Sequence, residues 1–303
     1  MTVASPLAPS TLAGSSKGGM RAFKNTLATV LVTAAFVVAL IPLVWLLWTV
    51  VSKGISTMLS SEWWTHSQRS ITFRKPGVGV SHAIIGTVEQ VLLCTVISVP
   101  IALLVGIYLI EYGGGRLAKT TSFMVDILTG IPSIVAALFI YAVFVTTFHG
   151  QRAGIYVSLA LVMLMVPVIV RTTEEMLKLV PNELREASYA LGVPKWKTIV
   201  RIVIPTAFSG IVTGVMLGIA RVAGETAPLL ILVGYSPDTN TNLLSGFQGS
   251  LPGMIYAQVP QLGNKRFHYA ADRMWGTALT LIVIVMALNV VARLVSRRSK
   301  VSG

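Results

Sequence analysis

Six long stretches of apolar residues, separated by short polar segments, dominate the pattern of this chain. Each stretch is 18 to 26 residues long and free of Asp, Glu, Lys and Arg. A helix needs about 20 apolar residues to cross the hydrocarbon core of a bilayer, which is about 30 Å thick. The pattern therefore predicts an all-α chain with six spanning helices. They are Thr26–Val51, Gln90–Ile110, Ile127–Phe148, Ala153–Val170, Ile202–Ala220 and Met274–Ala292.

The fifth stretch differs from the others because two charged residues, Arg221 and Glu225, interrupt it before it continues apolar to Gly234. We expect one long helix here, in which the i, i+4 spacing lets the two side chains meet. A charge at this depth is costly unless it is paired or faces water. The pair is thus either a buried salt bridge that locks helices together or part of a substrate pathway. The planar arginine fork suits a tetrahedral oxyanion.

Small residues and prolines are expected to shape the spanning helices. Gly210, Gly214 and Gly218 lie four residues apart and share one helix face with the two charges. Such a stripe lets a neighbouring helix approach closely, so we predict that the three glycines serve helix packing. Prolines inside apolar stretches free a backbone carbonyl and predict bends. They are Pro100, Pro132, Pro167 and Pro228.

The composition indicates an integral membrane protein. Of 303 residues, 54% are hydrophobic and only 12% are charged, and the mean hydropathy is +0.76. Soluble domains hold about 25% charged residues. We find no internal repeat and no separate soluble domain. We therefore predict a flexible tail at 1–25, one membrane domain at 26–293 and a basic tail at 294–303.

The distribution of Lys and Arg predicts the orientation of the chain. The two tails, the second loop and the fourth loop hold 15 of these residues, against 8 in the other three loops. Because cytoplasmic loops hold the excess, both termini and the fourth loop, residues 171–202, are predicted to be cytoplasmic. The net charge of +13 is divided among short loops. It forms no stripe with interleaved aromatic residues, so the membrane lipid and not nucleic acid is the expected surrounding.

Candidate metal ligands and disulfides are scarce. Cys94 is the one cysteine of the chain and lies inside the second apolar stretch, where packing is its expected role. An adjacent pair, Trp63 and Trp64, suits the membrane interface on the outer side. The histidines are spread over the outer loops, where we expect them to be solvated or interfacial. They are His66, His82, His149 and His268.

The polar segment between the fourth and fifth stretches contains an extended motif. Its spacing resembles the EAA loop of ABC importer permeases, which reads Glu-Ala-Ala, three residues, Gly, nine residues, Ile, one residue and Leu-Pro. The resemblance implies that this loop forms a short helix that docks on a separate ATPase, with a turn at the glycine. Two positions depart from the motif, with Ser in place of Ala and Ile204 in place of Leu. The matching positions are Glu186, Ala187, Ser188, Gly192, Ile202 and Pro205.

Two segments inside the spans narrow the resemblance. Residues 220–230 read Ala-Arg-Val-Ala-Gly-Glu-Thr-Ala-Pro-Leu-Leu, and residues 130–135 read Gly-Ile-Pro-Ser-Ile-Val. Both are similar to the A-type permease of bacterial phosphate-specific (Pst) importers. This resemblance implies the six-helix fold of type I ABC importer permeases, also called MetI-like, and import of inorganic phosphate across the bacterial cytoplasmic membrane. We place four residues in the predicted substrate pathway: Arg171, Arg221, Glu225 and Thr226.

The resemblance also implies partner chains. They are a second permease of the PstC type, a dimer of PstB-type ATPases and an external phosphate-binding lipoprotein of the PstS type. The chain itself has only a near-match to a phosphate-cradling loop at residues 113–120, where Ala118 replaces the second glycine. Such a loop follows a buried strand, whereas an apolar span precedes this segment. We therefore expect a transport subunit that is not an enzyme, with ATP and Mg²⁺ bound by the partner ATPase.

Other functions share part of this pattern. A permease for molybdate, sulfate or an amino acid has the same loop but differs at residues 224–229. A secondary transporter uses charges inside the membrane but does not require the motif at 186–205. A scaffold that transports nothing requires neither feature. The pattern as a whole favours ATP-driven alternating access, in which closure of the ATPase switches the permease between inward-facing and outward-facing packings.

Overall fold

Helices form all the regular secondary structure in residues 17–71, 79–262 and 268–298, which are the residues that this computed structural model describes. Helices are favoured because a backbone in lipid must pair its polar groups within its own segment. The α-helices are α1 (Lys17–Met58), α2 (Ser61–Thr65), α3 (Ser81–Ile107), α4 (Gly115–Gly130), α5 (Ser133–Ile140), α6 (Gly154–Lys178), α7 (Asn182–Ala190), α8 (Lys195–Thr198), α9 (Ile204–Ala223), α10 (Ala227–Leu232), α11 (Leu251–Gln258) and α12 (His268–Arg298).

Single π-helical segments continue or connect several of these helices. Tyr108–Tyr112 continues α3, Tyr141–Thr147 continues α5, and Ile199–Val203 joins α8 to α9. Short π-helical segments occur often at functional sites. One of the three, Ile199–Val203, lies within the EAA-like motif itself.

Five helical segments of the described chain are long and apolar enough to cross a membrane, and counting one bent pair as a single span gives up to six. The predicted all-α chain is therefore confirmed, with five to six candidate spans. The five are Gly19–Met58, Ser81–Tyr112, Gly154–Lys178, Lys195–Ala223 and Tyr269–Leu294.

The third predicted span, 127–148, is not one straight helix. The structure bends the chain by 106° between Gly115–Gly130 and Ser133–Thr147. Pro132 lies at the break, and Ile131 before it is extended, with φ −72° and ψ 124°. The pyrrolidine ring disfavours the helical conformation in the preceding residue, and proline cannot donate to the helix ladder. The prediction of a bend at Pro132 is confirmed, and the prediction of a continuous helix is wrong.

The chain divides into two compact units, residues 1–49 and residues 50–303. The described part of the first unit is the amino-terminal portion of α1, in which every side chain from residue 19 to residue 48 is exposed. Residues 17–25, which we predicted to be part of a flexible tail, are helical. They contain no proline and run without a break into the apolar span, so the helix starts earlier than the hydrophobic boundary. The remainder of the predicted tail, residues 1–16, lies outside the described residues.

The helix at the carboxyl-terminal boundary of the membrane domain also extends beyond the predicted boundary. Helix α12 continues to Arg298, so residues 294–298 of the predicted basic tail are helical. Basic residues are favourable in the last turns of a helix, where they face the negative end of its dipole. Residues 299–303 lie outside the described part of the chain.

Helix α6 forms the centre of the second unit and packs against α3 on one side and α9 on another. Its buried residues include Leu161, Met165 and Ile169, which belong to one apolar cluster with Cys94 of α3 and Val222 of α9. The Cys94 Sγ atom lies 3.6 Å from the Ser98 hydroxyl and 3.6 Å from the Met165 sulfur. Cys94 is thus a buried packing residue, as its position in the apolar stretch predicted.

The three glycines of α9 all face α6. A Cβ atom at Gly210 would collide with Met176, and one at Gly214 would lie 2.7 Å from the Thr172 Cβ. At Gly218 the nearest atoms are side-chain carbons of Ile169 and Met165, both at 3.3 Å. The close approach of α9 to α6 therefore depends most on the first two positions.

A second apolar cluster surrounds Trp63 and includes residues of α3 and α11. Trp63 is fully buried, and its Nε1 donates to the Thr280 Oγ1 at 2.9 Å. Only Trp64 of the pair is exposed, and its Nε1 donates to the Met58 carbonyl. Trp63 thus packs inside the protein, where α12 supplies a buried hydroxyl that accepts its N–H, and the membrane-interface position of the pair stays a prediction.

His82 is buried as well, in contrast to the solvated position that we predicted. Its Nε2 lies 2.9 Å from the Tyr235 hydroxyl, which donates to the Gln68 Oε1 at 3.2 Å. Burial raises the pKa of Tyr235 well above its ordinary value, so this hydroxyl keeps its proton. The polar contacts join the start of α3 to the segments before it and after α10.

We expect Gly214→Ala to destabilise the protein more than Gly218→Ala. The new methyl group at position 214 meets the Thr172 Cβ at 2.7 Å, whereas the one at position 218 meets movable side-chain carbons at 3.3 Å. Overpacking of this kind costs about 1–3 kcal/mol of unfolding free energy. Thermal unfolding of the purified protein in detergent measures the difference. An equal or larger loss for Gly218→Ala would contradict the packing described for α9 and α6.

Candidate functional site

The segment that contains the EAA-like motif is folded into two short helices. Helix α6 continues to Lys178, so the first eight residues of the predicted loop 171–202 are helical. They stay helical because Thr173, Glu174 and Leu177 are buried against the rest of the second unit. The chain then turns through residues 179–181 into α7, and through residues 191–194 into α8. We call residues 182–198 the α7–α8 unit.

Gly192 ends α7 with the turn that the sequence predicts. Its φ angle is +76°, in the left-handed region. The Gly192 N–H donates to the Tyr189 carbonyl at 2.9 Å, and the Val193 N–H donates to the Ser188 carbonyl at 3.2 Å. These two bonds form a Schellman motif, in which glycine is the favoured residue. A Cβ at Gly192 would find no atom within 4 Å, so only the backbone conformation requires glycine.

Ser188, which departs from the Ala of the motif, holds α7 and α8 together. Its hydroxyl lies 2.8 Å from the Thr198 hydroxyl, and both side chains are buried. Thr198 also donates to the Pro194 carbonyl at 3.4 Å. A buried hydroxyl needs a hydrogen-bond partner, and here each of the two supplies it for the other. This contact therefore joins α7 to α8 across the turn at residues 191–194.

The outer surface of the α7–α8 unit combines acidic and apolar side chains. Glu186 and Ala187 are exposed, and so are Leu191, with 83% of its surface accessible, and Trp196, with 63%. Leu191 lies before the candidate span Lys195–Ala223 and Trp196 lies at its very start, and large exposed apolar side chains at such a place indicate an interaction surface. Ile202 is half-buried in the π-helical segment, and Pro205 is exposed in the first turn of α9.

Two basic residues fasten the α7–α8 unit to the end of α3. Arg185 forms a buried ion pair with Glu111, in which Nη2 and Oε1 are 2.9 Å apart. The Lys195 Nζ donates to the Glu111 carbonyl oxygen and lies 4.8 Å from the centre of the Tyr112 ring. Sequence reasoning missed this contact. The only signal was an acidic residue directly after the second apolar stretch, opposite a loop rich in bases.

The fifth helix is shorter than predicted. Helix α9 ends at Ala223, residues 224–226 are not helical, and α10 begins at Ala227. Pro228 lies in the first turn of α10, where its missing N–H is tolerated. In a continuous helix its ring would clash with the Gly224 carbonyl, four residues earlier. The prediction of one helix to Gly234 is therefore wrong.

Because the helix stops, Arg221 and Glu225 do not form the predicted pair. Across residues 17–71, 79–262 and 268–298 we find neither a side-chain hydrogen bond nor an ion pair from Arg221 or from Glu225. Arg221 is exposed on the surface of the chain, while Glu225 and Thr226 are half-buried. An arginine in a spanning segment has to face a partner protein or water. This side of α9 is thus the part of the span least suited to lipid.

Arg171, by contrast, is held inside the chain. It donates to Glu174 at 2.6 Å and to the carboxylate of Asp126, and it reaches the Ser122 hydroxyl at 3.2 Å. These contacts tie α6 to α4. The cluster contains two carboxylates and one guanidinium, so its net charge is negative.

Comparison with known proteins is consistent with this arrangement of helices and loop. The family model described as "Binding-protein-dependent transport system inner membrane component" matches residues 98–301. The chain belongs to this family. It is therefore a multi-pass protein of the cytoplasmic membrane.

Curated members of the family are similar over almost the whole chain. PstA 1, a phosphate transport system permease protein of Mycobacterium tuberculosis (strain CDC 1551 / Oshkosh), is 52% identical over 91% of this chain and 89% of its own length. PstA of Mycobacterium leprae (strain TN) is 49% identical over 89% of this chain and 87% of its own length. PstA of Yersinia pestis is 39% identical over 94% of each chain.

Two solved ABC transporter structures show the same fold at lower identity. The MetNI methionine ABC transporter in an inward-facing conformation has a chain with TM-score 0.56 and 21% identity, covering 73% of this chain and 94% of that one. An amino acid ABC transporter solved with histidines gives TM-score 0.52 and 16% identity, covering 72% and 92%. The predicted MetI-like permease fold is confirmed. The cytoplasmic orientation of the termini stays a prediction.

We expect Gly192→Ala to loosen the α7–α8 unit, while Gly130→Ala leaves it unchanged. In both cases the added Cβ meets no atom within 4 Å, but only Gly192 has a positive φ. A non-glycine residue in that conformation costs about 1 kcal/mol, which makes local opening about fivefold more frequent. The rate of tryptic cleavage at Lys195 and Lys197 in the purified permease measures the opening. Equal rates for the two variants would contradict the need for the left-handed turn.

Proposed function

We propose that this chain is the A-type permease subunit of a bacterial importer of inorganic phosphate. The observation that supports the proposal most directly is the identity of 39% to 52% with PstA proteins of three species over about nine-tenths of the chain. The helical fold and the EAA-like motif agree with that assignment. The chain forms half of a translocation pathway and depends on other subunits for energy.

The proposed partners follow from the same family. A PstC-type permease completes the pathway, a PstB-type ATPase dimer drives it, and a PstS-type lipoprotein delivers phosphate from outside. ATP and Mg²⁺ bind to the ATPase. In this chain the glycines of residues 113–115 connect a π-helical segment to α4. A nucleotide-binding loop instead follows a buried strand and starts a soluble helix.

We infer that both termini and the α7–α8 unit lie in the cytoplasm, where the excess of Lys and Arg places them. The exposed surface of the α7–α8 unit then faces the ATPase. Glu186 contributes a charge to that surface, and Leu191 and Trp196 contribute exposed apolar area. Interfaces of this type combine apolar anchors with a polar rim. Closure of the ATPase dimer pushes the unit and changes the packing of the spans.

The proposed phosphate pathway passes Arg221. Its guanidinium is exposed on a spanning helix and has no partner within the described residues, so its donors are available to an anion or to the second permease. Glu225 and Thr226 follow directly in the non-helical segment and line the same region. Glu225 reduces the positive charge there, which favours release of the anion. Charge-assisted hydrogen bonds to a planar arginine fork suit phosphate.

Arg171 has a different role in this proposal. Two carboxylates surround it, at Asp126 and Glu174, and their excess negative charge repels an anion. We therefore assign Arg171 to holding α4 against α6 instead of to the phosphate pathway. This assignment revises the interpretation made from the sequence.

We expect Glu186→Lys to uncouple ATP hydrolysis from transport, while Glu62→Lys does not. The reversed charge disturbs a docking surface, and Glu62 is an equally exposed acid on α2, far along the chain from the loop. Loss of one interfacial charge contact costs about 2 kcal/mol or more. ATPase activity stimulated by loaded binding protein is measured on the reconstituted complex. Normal stimulation and uptake in Glu186→Lys would show that the loop does not couple the subunits.

We expect Arg221→Gln to assemble normally and to lower phosphate uptake by at least about tenfold, because a hydrogen bond to a charged group contributes about 1.5–3 kcal/mol. Since Arg221 has no ion pair in the described chain, removing it leaves no carboxylate without its partner. Arg221→Lys keeps the charge but lacks the planar guanidinium, so its phosphate uptake should fall between that of the wild type and that of Arg221→Gln.

The measurement is uptake of labelled phosphate alongside the yield of the complex, with Arg69→Gln as the control on the outer surface. Competition with unlabelled sulfate and molybdate tests the solute in the same assay. Full uptake by Arg221→Gln would remove Arg221 from the pathway. Competition by molybdate or sulfate that is stronger than competition by phosphate would overturn the phosphate assignment.

A further inference from the structure

Glu111 lies where the first long helix of the second unit meets the α7–α8 unit. It belongs to the π-helical segment Tyr108–Tyr112, which continues α3 to the edge of its span. Only 8% of the residue is exposed. A carboxylate buried to this degree is stable only when a positive charge or several donors compensate it.

Arg185 of α7 supplies that compensation and fixes its own helix at the same time. Its Nε and Nη2 both donate to the Glu111 Oε1, at 3.1 Å and 2.9 Å. Its remaining donors reach carbonyl oxygens at the end of α6, with Nη1 2.7 Å from Val180 and Nη2 3.0 Å from Leu177. One guanidinium therefore joins three elements, α3, α6 and α7, in a buried geometry that a lysine cannot reproduce.

Lys195 of α8 holds the same residue from a second direction. Its Nζ donates to the backbone carbonyl of Glu111 and also lies over the ring of Tyr112, at 4.8 Å from the centre. Glu111 lies in the last turn of its helical segment, where carbonyl groups lack intrahelical partners and can accept from outside. Both helices of the α7–α8 unit thus contact the π-helical segment that continues α3.

The connectivity of the chain makes these contacts important. Helix α7 follows α6 after residues 179–181, and α8 leads into α9 through Ile199–Val203. A displacement of the α7–α8 unit therefore reaches α6 and α9 through the backbone. Helix α3 has no such covalent link, because residues 113–181 separate its end from α7. Helix α3 packs along α6, and at the α7–α8 unit itself it is held by the Glu111 contacts and by Lys195 over the Tyr112 ring.

We propose that Glu111 is the positioning residue that transmits movement of the α7–α8 unit to α3. The inference rests on the proposed function, because it assumes that an ATPase moves the unit. With the pair intact, α3 shifts together with α6 and α9 when the ATPase closes. Without it, the unit still docks and the ATPase still turns over, but α3 lags behind and the pathway fails to open.

The test compares the double variant Glu111→Leu with Arg185→Met against the wild-type complex. Replacing both members by apolar residues of similar size leaves no unpaired buried charge, so the permease should fold and bind its ATPase. We expect ATPase activity to persist while phosphate transported per ATP falls about tenfold, the size of a typical coupling between sites. Asp238→Asn, which removes an exposed ion pair with Arg69, is the control and should change neither quantity.

A distance measurement tests the transmission itself. Spin labels are placed at Leu104 of α3 and Glu183 of α7, both exposed, in a Cys94→Ala background. In the otherwise unchanged complex the distance should be the same with and without ATP, because α3 and α7 move together. In the double variant it should differ between the two states. A distance that stays constant in the double variant, or an unchanged ratio of transport to hydrolysis, overturns the proposal.

If the double variant does not assemble, Glu111→Gln provides a second test. The amide retains one hydrogen bond from Arg185 but loses the charge, so we expect an assembled complex with a smaller, measurable loss of coupling. Full coupling in Glu111→Gln would then refute the inference. Failure of the proposed function has a separate signature, since the wild-type complex would bind no ATPase or move no phosphate. The label distance does not depend on the solute and still reports on α3.

Discussion

A bilayer offers no water to unpaired backbone groups or charges, and this constraint determines most of the structure. It explains why the apolar stretches are helices of 25 to 40 residues in the spans, and why α6, the most enclosed, is packed on several sides. The same constraint makes each exception informative. The chain leaves the helical ladder at Pro132 and at residues 224–226, and it exposes an arginine at position 221. Spanning a membrane does not require these exceptions, and the proposed phosphate pathway accounts for the exposed arginine.

The spans were predictable because the apolar character and the length of each uncharged stretch are local properties of the sequence. Their interruptions were predictable only in part. Pro132 was expected to bend its helix, but a bend of 106° depends on how α5 packs against α6 and α10, which no local pattern contains. The break after Ala223 was missed because apolar residues resume at once, so hydropathy alone does not separate α10 from α9. Pro228 was the available signal, since a proline removes the hydrogen bond to the carbonyl four residues earlier.

The candidate site shows the same division between local and distant information. The turn at Gly192 followed from the motif, since a Schellman motif is built from neighbouring residues. Ser188 and Thr198 are only ten residues apart, so a contact between them is nearly local. The sequence alone did not explain why Ser replaces Ala, because the explanation depends on the burial of both hydroxyl groups. The pairing of Glu111 with Arg185 spans 74 residues. Only the packing of α3 beside α6 brings those two side chains together.

Arg185 and Arg221 have the same side chain but lie in opposite environments. Arg185 is buried and saturated by a carboxylate and two backbone carbonyls, whereas Arg221 is exposed and has no partner in the described chain. A saturated arginine gains nothing from an anion and serves as a rigid joint, while an unsaturated one in a span stays costly until a ligand or a partner subunit meets it. The proposed mechanism needs both kinds. In it, the Arg185 contacts hold in every state, and the charge of Arg221 is satisfied in one state and released in the next.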